Sequence, residues 1–197
     1  MGKRTRPLPT TGYAVLGLLS FGEELSGYDL KKWADHSLRF FFWSPAISNI
    51  YGELKRLQQL GYVVARELPE GSTRNRRVYR ITDEGVDALA EWVEHAPVEA
   101  PVLKDQALLR VWLGHVAGKD RVLALAASEE AQARRMVDDV AHSLERAQET
   151  MGPSYAGLVE QWCLRYATAR LEAFTELRRT LAAMPEPAIR TRREALA

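Results

Sequence analysis

Cysteine occurs once, at Cys163. No disulfide can form within the chain, which suits a reducing compartment. Histidine is almost as scarce: His36, His95, His115 and His142 share no metal-ligand spacing, and none neighbours the cysteine in sequence. The chain has no glycine-rich phosphate loop and no nucleophile motif. No catalysis, no metal and no cofactor is therefore expected. No apolar run approaches the ~18 residues of a membrane span. The basic opening "MGKRTRPLP" lacks the apolar stretch of a signal peptide. A cytoplasmic protein, away from the membrane, is the expectation.

An excess of one charge is missing too. Formal net charge is +1 over 197 residues, and residues 1–95 carry 13 Lys/Arg against 12 Asp/Glu. Any nucleic-acid signal must therefore be local. One such place exists: "TRNRRVYR", Thr73 to Arg80, holds four arginines and no acid. A run of this kind is also compatible with a solvated loop.

What the chain does have is helical periodicity. "GYAVLGLLSF" reads as a short buried helix ending near Gly22. "SGYDLKKWADHSL" follows, with Ser26 as N-cap and Asp29 three residues on, close to a capping box. After the aromatic step "RFFFW", the stretch "SPAISNIYGELKRLQQLGY" reads as a third helix, with Ser44 as N-cap, Pro45 in the first turn and Gly61 as the stop. Its residues Ile47, Ile50, Leu54 and Leu57 recur at spacings of three and four, one apolar face. "YVVARELP" and "RRVYRIT" read as two strands around the turn "EGSTRN". "DEGVDALAEWVEH" closes the unit as a helix with acids in its first turn. Three helices, a hairpin and a helix make a winged helix-turn-helix arrangement.

Two prolines in "APVEAP" place a linker at 96–101. The expected organisation is a flexible basic tail at 1–10, a winged DNA-binding domain at 11–95, a helical dimerisation domain at 102–184 and a flexible tail at 185–197. The fold class is mainly α with a small β-hairpin. Beyond the linker, "DQALLRVWLGHV" is short and apolar. Two long helices follow, Lys119 to Met151 and Tyr155 to Met184, broken by "GPS". On the last helix the apolar stripe runs through Tyr155, Leu158, Val159, Trp162, Tyr166, Ala173, Leu177 and Leu181. Helices of about 45 Å each, at 1.5 Å per residue, cannot bury such stripes against so small a domain. A second copy of the chain, packed in coiled-coil fashion, is expected on this stripe. The alternative is an intramolecular hairpin packed on the winged domain. Cys163, beside Trp162, reads as packing rather than a redox switch. Glu129, Glu130, Asp138 and Asp139 read as solvated helix faces.

The third helix raises a sharper question. Opposite its apolar stripe stand Ser48, Gly52, Lys55 and Gln59, with Arg56 at the edge and Tyr51 alongside. Glycine inside a helix costs about 1 kcal/mol relative to alanine, and close approach to a major-groove floor is one use for it. Residues early in a recognition helix reach base edges, which nominates Ser48, Asn49 and Tyr51. Lys55 and Arg56 sit where phosphates would pass. Arg74, Arg76, Arg77 and Arg80 on or beside the wing suit phosphate forks and narrow minor grooves. Lys31 and Lys32, with Lys3, Arg4 and Arg6 of the tail, are lesser candidates. Together these features favour binding of double-stranded DNA. A winged-helix module that binds protein is the alternative; it has no need of arginines at the wing tip.

These residues also carry a resemblance. "FFWSPAISNIYGELKRLQQLGYVVARE" and "RRVYRITDEG" resemble the PadR family of bacterial transcriptional regulators, through the "IY" pair, "ELKRL", the "LGYV" exit and the "YRIT-x-x-G" return. "YAVLGLLSFGEELSGYDL" is similar to that family's first two helices. "ALLRVWLGHV" and the long helices resemble its longer, virulence-activator-like C-terminal region. The likeness spans about Thr11 to Met184. It implies a homodimeric repressor on a pseudo-palindromic operator, with helix three in the major groove and the last helices exchanging contacts between subunits. Carried over by position, it supports Ser48, Tyr51 and Lys55 as groove or backbone contacts, and Arg76 and Arg77 on the wing. Gly52 is a departure, since proline or alanine more often stands there. The resemblance further implies release by an aromatic or planar effector near the dimer interface. Trp92, Trp112, Trp162 and Tyr166 are the candidates to stack against it.

Overall fold

The computed structural model of the protein describes residues 7–22, 24–69 and 77–185. Its backbone divides into two compact units between Glu99 and Ala100.

In the N-terminal unit, α1 (Thr10–Leu19) is apolar on nearly every side and runs through the core, burying Tyr13, Val15, Leu16, Leu18 and Leu19. Leu8, assigned to the tail on sequence grounds, is buried with them, and its N–H meets the Tyr13 hydroxyl at 3.4 Å. The capping box at the start of α2 (Gly27–His36) is complete. The Asp29 N–H donates to Ser26 Oγ at 3.2 Å, and the Ser26 N–H donates to Asp29 Oδ2 at 3.0 Å. A 3-10 turn at Leu38–Phe40 leads to α3 (Ile47–Gln59).

Two expectations for α3 are corrected. Its N-cap is Ala46, with no side-chain cap. The Ser44 hydroxyl is drawn instead to a tertiary partner, donating to Asp35 Oδ1 at 2.6 Å and accepting from Lys31 Nζ at 3.0 Å. Ile47 is exposed, so the buried face consists of Ile50, Leu54 and Leu57.

The stop at Gly61 is a Schellman turn. Gly61 has φ +77, its N–H donates to the Gln58 carbonyl at 3.1 Å, and the Tyr62 N–H donates to the Leu57 carbonyl at 2.9 Å. Strands β1 (Val63–Glu67) and β2 (Arg77–Ile81) pair antiparallel, from Val63 opposite Ile81 to Glu67 opposite Arg77. Leu25 adds a one-residue bridge to Tyr79, exchanging N–H···O bonds of 3.0 and 2.9 Å.

Helix α4 (Asp83–His95) is tied directly to the end of α3. The Thr82 N–H donates to the Tyr62 carbonyl at 3.0 Å, and its hydroxyl donates to the Gly61 carbonyl at 2.7 Å. The same hydroxyl caps α4 by accepting from the Gly85 N–H at 3.1 Å. The "LGYV" and "YRIT-x-x-G" segments are thus two halves of one junction.

In the C-terminal unit, Asp105 caps α5 (Gln106–Trp112), and a 3-10 turn at Gly114–Val116 follows. Then α6 (Lys119–Met151) and α7 (Tyr155–Ala183) form an antiparallel hairpin around Gly152–Ser154. The residues of α7 turned to α6 are Gly157, Glu160, Cys163, Ala167 and Phe174. At about 100° per residue this face lies roughly 120° from the stripe read in the sequence. Tyr155, Leu158, Val159, Trp162, Tyr166 and Ala173 are exposed, while Leu177 and Leu181 are half-buried. Periodicity found the strongly apolar stripe and missed the packed face, because small residues such as Ala167 complete that face without looking strongly apolar. Glu129 and Glu130 are corrected as well. They are mostly covered rather than solvated, since Arg170 and Arg178 of α7 reach back to them. Cys163 is fully buried, and burial first, then the neighbouring Glu160 charge, pushes its thiol up.

Glu160 is the one acid buried in the described part of the hairpin. Its Oε1 accepts from the Ser143 hydroxyl at 3.1 Å, while Oε2 is buried with no hydrogen-bond partner among the described residues. Burial raises its carboxyl above the usual glutamate range, against the opposing Ser143 bond and the Arg146 charge. The folded state therefore holds this proton at pH values where the unfolded chain has lost it, and stability falls as pH rises through that interval. Glu160→Gln should leave stability unchanged below the interval and raise it above the interval. Urea titrations of both proteins at several pH values check this, and equal midpoint differences at every pH would refute it.

Candidate nucleic-acid interface

The outer face of α3 is open. Ser48, Asn49, Gly52, Lys55, Arg56 and Gln59 are all exposed, and a Cβ placed on Gly52 would meet nothing within 4 Å among the described residues. The three buried leucine and isoleucine anchors on the far side fix the axial rotation of the helix, so this polar face is a rigid surface. Among its cations, Arg56 is loosely engaged, with Nε 3.7 Å from Glu53 Oε2. Tyr51 is half exposed, and its ring lies against the first turn of α2, where Gly27 leaves room for it.

Other candidates are more firmly held. Lys31 pairs with Asp35 and bonds Ser44, whereas Lys32 is exposed. Asp35 is held below the usual aspartate range, first by the Lys31 hydrogen bond and then by that of Ser44. Arg77, at the root of the wing, donates to Gln58 Oε1 on α3 at 3.0 Å, and its guanidinium lies 5.6 Å from the Tyr79 ring centroid. It therefore joins the wing to the C-terminal end of α3. Arg80 is exposed, and Arg66 pairs with Glu24. Arg74 and Arg76, like Lys3, Arg4 and Arg6, lie outside the described residues.

Of the four aromatic residues proposed for an effector, Trp92 belongs to the N-terminal unit and Trp112, Trp162 and Tyr166 to the C-terminal unit. Trp92 is half-buried against the N-terminal core, stacked on Tyr13 with centroids 4.7 Å apart. Trp112 is exposed on α5. Trp162 and Tyr166 do come together on α7, stacked at 5.5 Å and 5°. A cleft of about 180 Å³ adjoins Tyr166, lined by Leu103, Leu108, Ala169, Arg170, Ala173, Phe174 and Leu177. Of the four, only Tyr166 borders it.

Sequence reasoning passed over Gly27, Gln58 and Thr82. Each works through a partner distant in the chain, and only the Thr82 motif left a local signal.

Residues 15–91 match the transcriptional regulator PadR-like family. The chain is 31% identical over 142 residues to the negative transcriptional regulator PadR of Bacillus subtilis (strain 168), covering 72% of this chain and 76% of that protein. The crystal structure of Bacillus subtilis PadR in complex with operator DNA superposes with a TM-score of 0.74 at 25% identity, covering 88% of this chain and 99% of that one. The complex of Bacillus subtilis PadR with p-coumaric acid gives 0.65 at 24% identity, with the same coverage of 88% and 99%. These relatives are transcriptional regulators, not enzymes. With its helix order, its hairpin wing and its open third helix, the chain belongs to the PadR-like family of transcriptional regulators.

Proposed function

We propose that the chain is a homodimeric repressor that binds a pseudo-palindromic operator in the cytoplasm and is released by a small aromatic effector. The single observation behind the DNA reading is the open outer face of α3, where Ser48, Asn49, Lys55 and Arg56 surround a glycine with none of the described residues against it. The first turn and a half of such a helix, here with Ser48 and Asn49, suits base edges, and the lysine and arginine further along suit phosphates. Arg77 extends the basic surface to the root of the wing, and Arg74 and Arg76 are proposed as further contacts on their sequence alone. Dimerisation through a domain at 102–184 is supported by the α7 stripe that the hairpin leaves uncovered, Trp162 being 57% exposed. A monomer gains nothing from presenting Leu158, Trp162 and Tyr166 to water. The effector reading rests on the stacked Trp162–Tyr166 pair and the adjoining cleft, together with the relative's complex with p-coumaric acid.

The test is fluorescence anisotropy of a random-sequence duplex at several salt concentrations, for wild type and Lys55→Ala/Arg56→Ala. Wild-type affinity should fall steeply with salt. The variant should show a log–log slope shallower by about 0.9 for each phosphate it no longer neutralises. Absence of binding at low salt overturns the DNA reading and leaves a protein-binding winged helix in its place.

A further inference from the structure

We infer that Gly27 is a positioning residue for DNA recognition: the first turn of α2 is the seat that fixes the Tyr51 ring at the edge of the recognition surface. The inference rests on the reading of α3 as the recognition helix. It deepens that reading by naming what orients one of its side chains.

The geometry is specific. A Cβ on Gly27 would stand 2.6 Å from both Cε1 and Cζ of Tyr51 and 3.0 Å from its hydroxyl oxygen. Carbon atoms in contact settle at about 3.5–4.0 Å, so no residue other than glycine fits while the ring stays where it is. The encroached atoms are those at the hydroxyl end, so the seat fixes the phenol rather than the ring's root. Gly27 itself is buried, and Tyr51 is 45% exposed, which leaves the far side of the ring facing outward.

The seat is also rigid. Ser26, fully buried beside it, closes the capping box with Asp29 through three hydrogen bonds of 2.7 to 3.2 Å. One residue further back, Leu25 pairs with Tyr79 of β2. The strand that carries the wing, the start of α2 and the Tyr51 ring are therefore linked through three consecutive residues, Leu25, Ser26 and Gly27. A side chain on an otherwise solvent-facing helix surface loses rotamer entropy on binding unless it is already fixed. This seat removes that loss for Tyr51, and it sets the phenol relative to the wing as well as to α3.

The inference predicts energetic coupling between two residues that are distant in sequence. A duplex is first enriched from a random pool by the wild-type protein, and its affinity is then measured by anisotropy for wild type, Gly27→Ala, Tyr51→Ala and the double variant. Gly27→Ala and Tyr51→Ala should each weaken binding roughly tenfold per half-site, the value of one hydrogen bond to an ionised phosphate. The double variant should be no weaker than Tyr51→Ala alone. Losses that multiply, or a Gly27→Ala protein with wild-type affinity, would overturn the inference. So would wild-type affinity in Tyr51→Ala, with the DNA reading left standing. Thermal melts accompany each measurement. Should Gly27→Ala fail to fold, the double variant must recover the fold, because the ring that the methyl strikes is gone; failure to recover also overturns the inference. If no duplex is enriched at all, the DNA reading falls and this inference falls with it.

Discussion

Arg170→Ala should destabilise the C-terminal unit by about 3 kcal/mol, toward the lower end of what breaking a buried ion pair costs. Arg170 reaches from α7 to two carboxylates at once, Asp105 at the head of α5 and Glu129 on α6. Its guanidinium also lies 4.7 Å from the Phe174 ring centroid. Asp105 is covered, its side chain only 8% exposed, and Arg170 is 26% exposed. Alanine therefore strands two carboxylates facing the space the cation filled. Arg170→Lys should recover only part of the loss, since a single ammonium cannot fork to both acids.

The pH dependence identifies the cause. Burial alone would raise the Asp105 carboxyl. The Arg170 hydrogen bond and charge, with the Leu108 and Ala107 N–H groups, outweigh it and hold the group below the usual aspartate range. That stability is present at neutral pH and is lost as pH falls through the lowered value. In Arg170→Ala the burial contribution loses its main opponent. The deficit against wild type should then be largest near neutrality and shrink on acidification. Urea unfolding followed by the fluorescence of Trp112 and Trp162 measures both effects. A deficit independent of pH would assign the loss to packing on Phe174 instead.

Gly85→Ala should cost about 3 kcal/mol, at the upper end of what forcing one extra carbon into a packed site costs. Its Cβ would stand 2.2 Å from the Tyr62 carbonyl oxygen and 2.8 Å from Ile81 Cγ1. The oxygen belongs to the backbone and already accepts from the Thr82 N–H, so it cannot retreat without opening the junction between α3 and α4. Gly52→Ala is the matched control. It makes the same chemical change, also inside a helix, but meets open space, and should stabilise by about 1 kcal/mol. Opposite signs in thermal melts support this account, and two losses of similar size would contradict it.

The contrast between these glycines shows what was legible in the sequence. Where a signal is local, it could be read. The Ser26–Asp29 spacing foretold a capping box, Gly61 foretold the stop of α3, and the "GPS" break foretold the ends of α6 and α7 almost to the residue. Where the deciding partner is far off in the chain, the local reading went astray. Ser44 looks like a cap until Asp35 claims its hydroxyl, and nothing local to Trp92 foretells its stacking on Tyr13. The candidate surface was read by its outward residues, which periodicity gives. The pieces that orient it, Gly27 under Tyr51 and Gln58 under Arg77, were not read, because no spacing rule relates residues on different helices and strands.

The two faces of α7 bear on how such a chain can diverge after gene duplication. Cys163, Ala167 and Phe174 hold the hairpin, whereas Leu158, Trp162 and Tyr166 point elsewhere. On the dimer reading proposed above, substitutions confined to the second set change the surface offered to a second copy without disturbing the hairpin, so two paralogous copies in one cell would cease to recognise each other while each remains intact. Insertions have no such freedom. One extra residue rotates everything beyond it by about 100°, which turns part of one set into the place of the other. Along this helix, sequence can drift while length stays fixed.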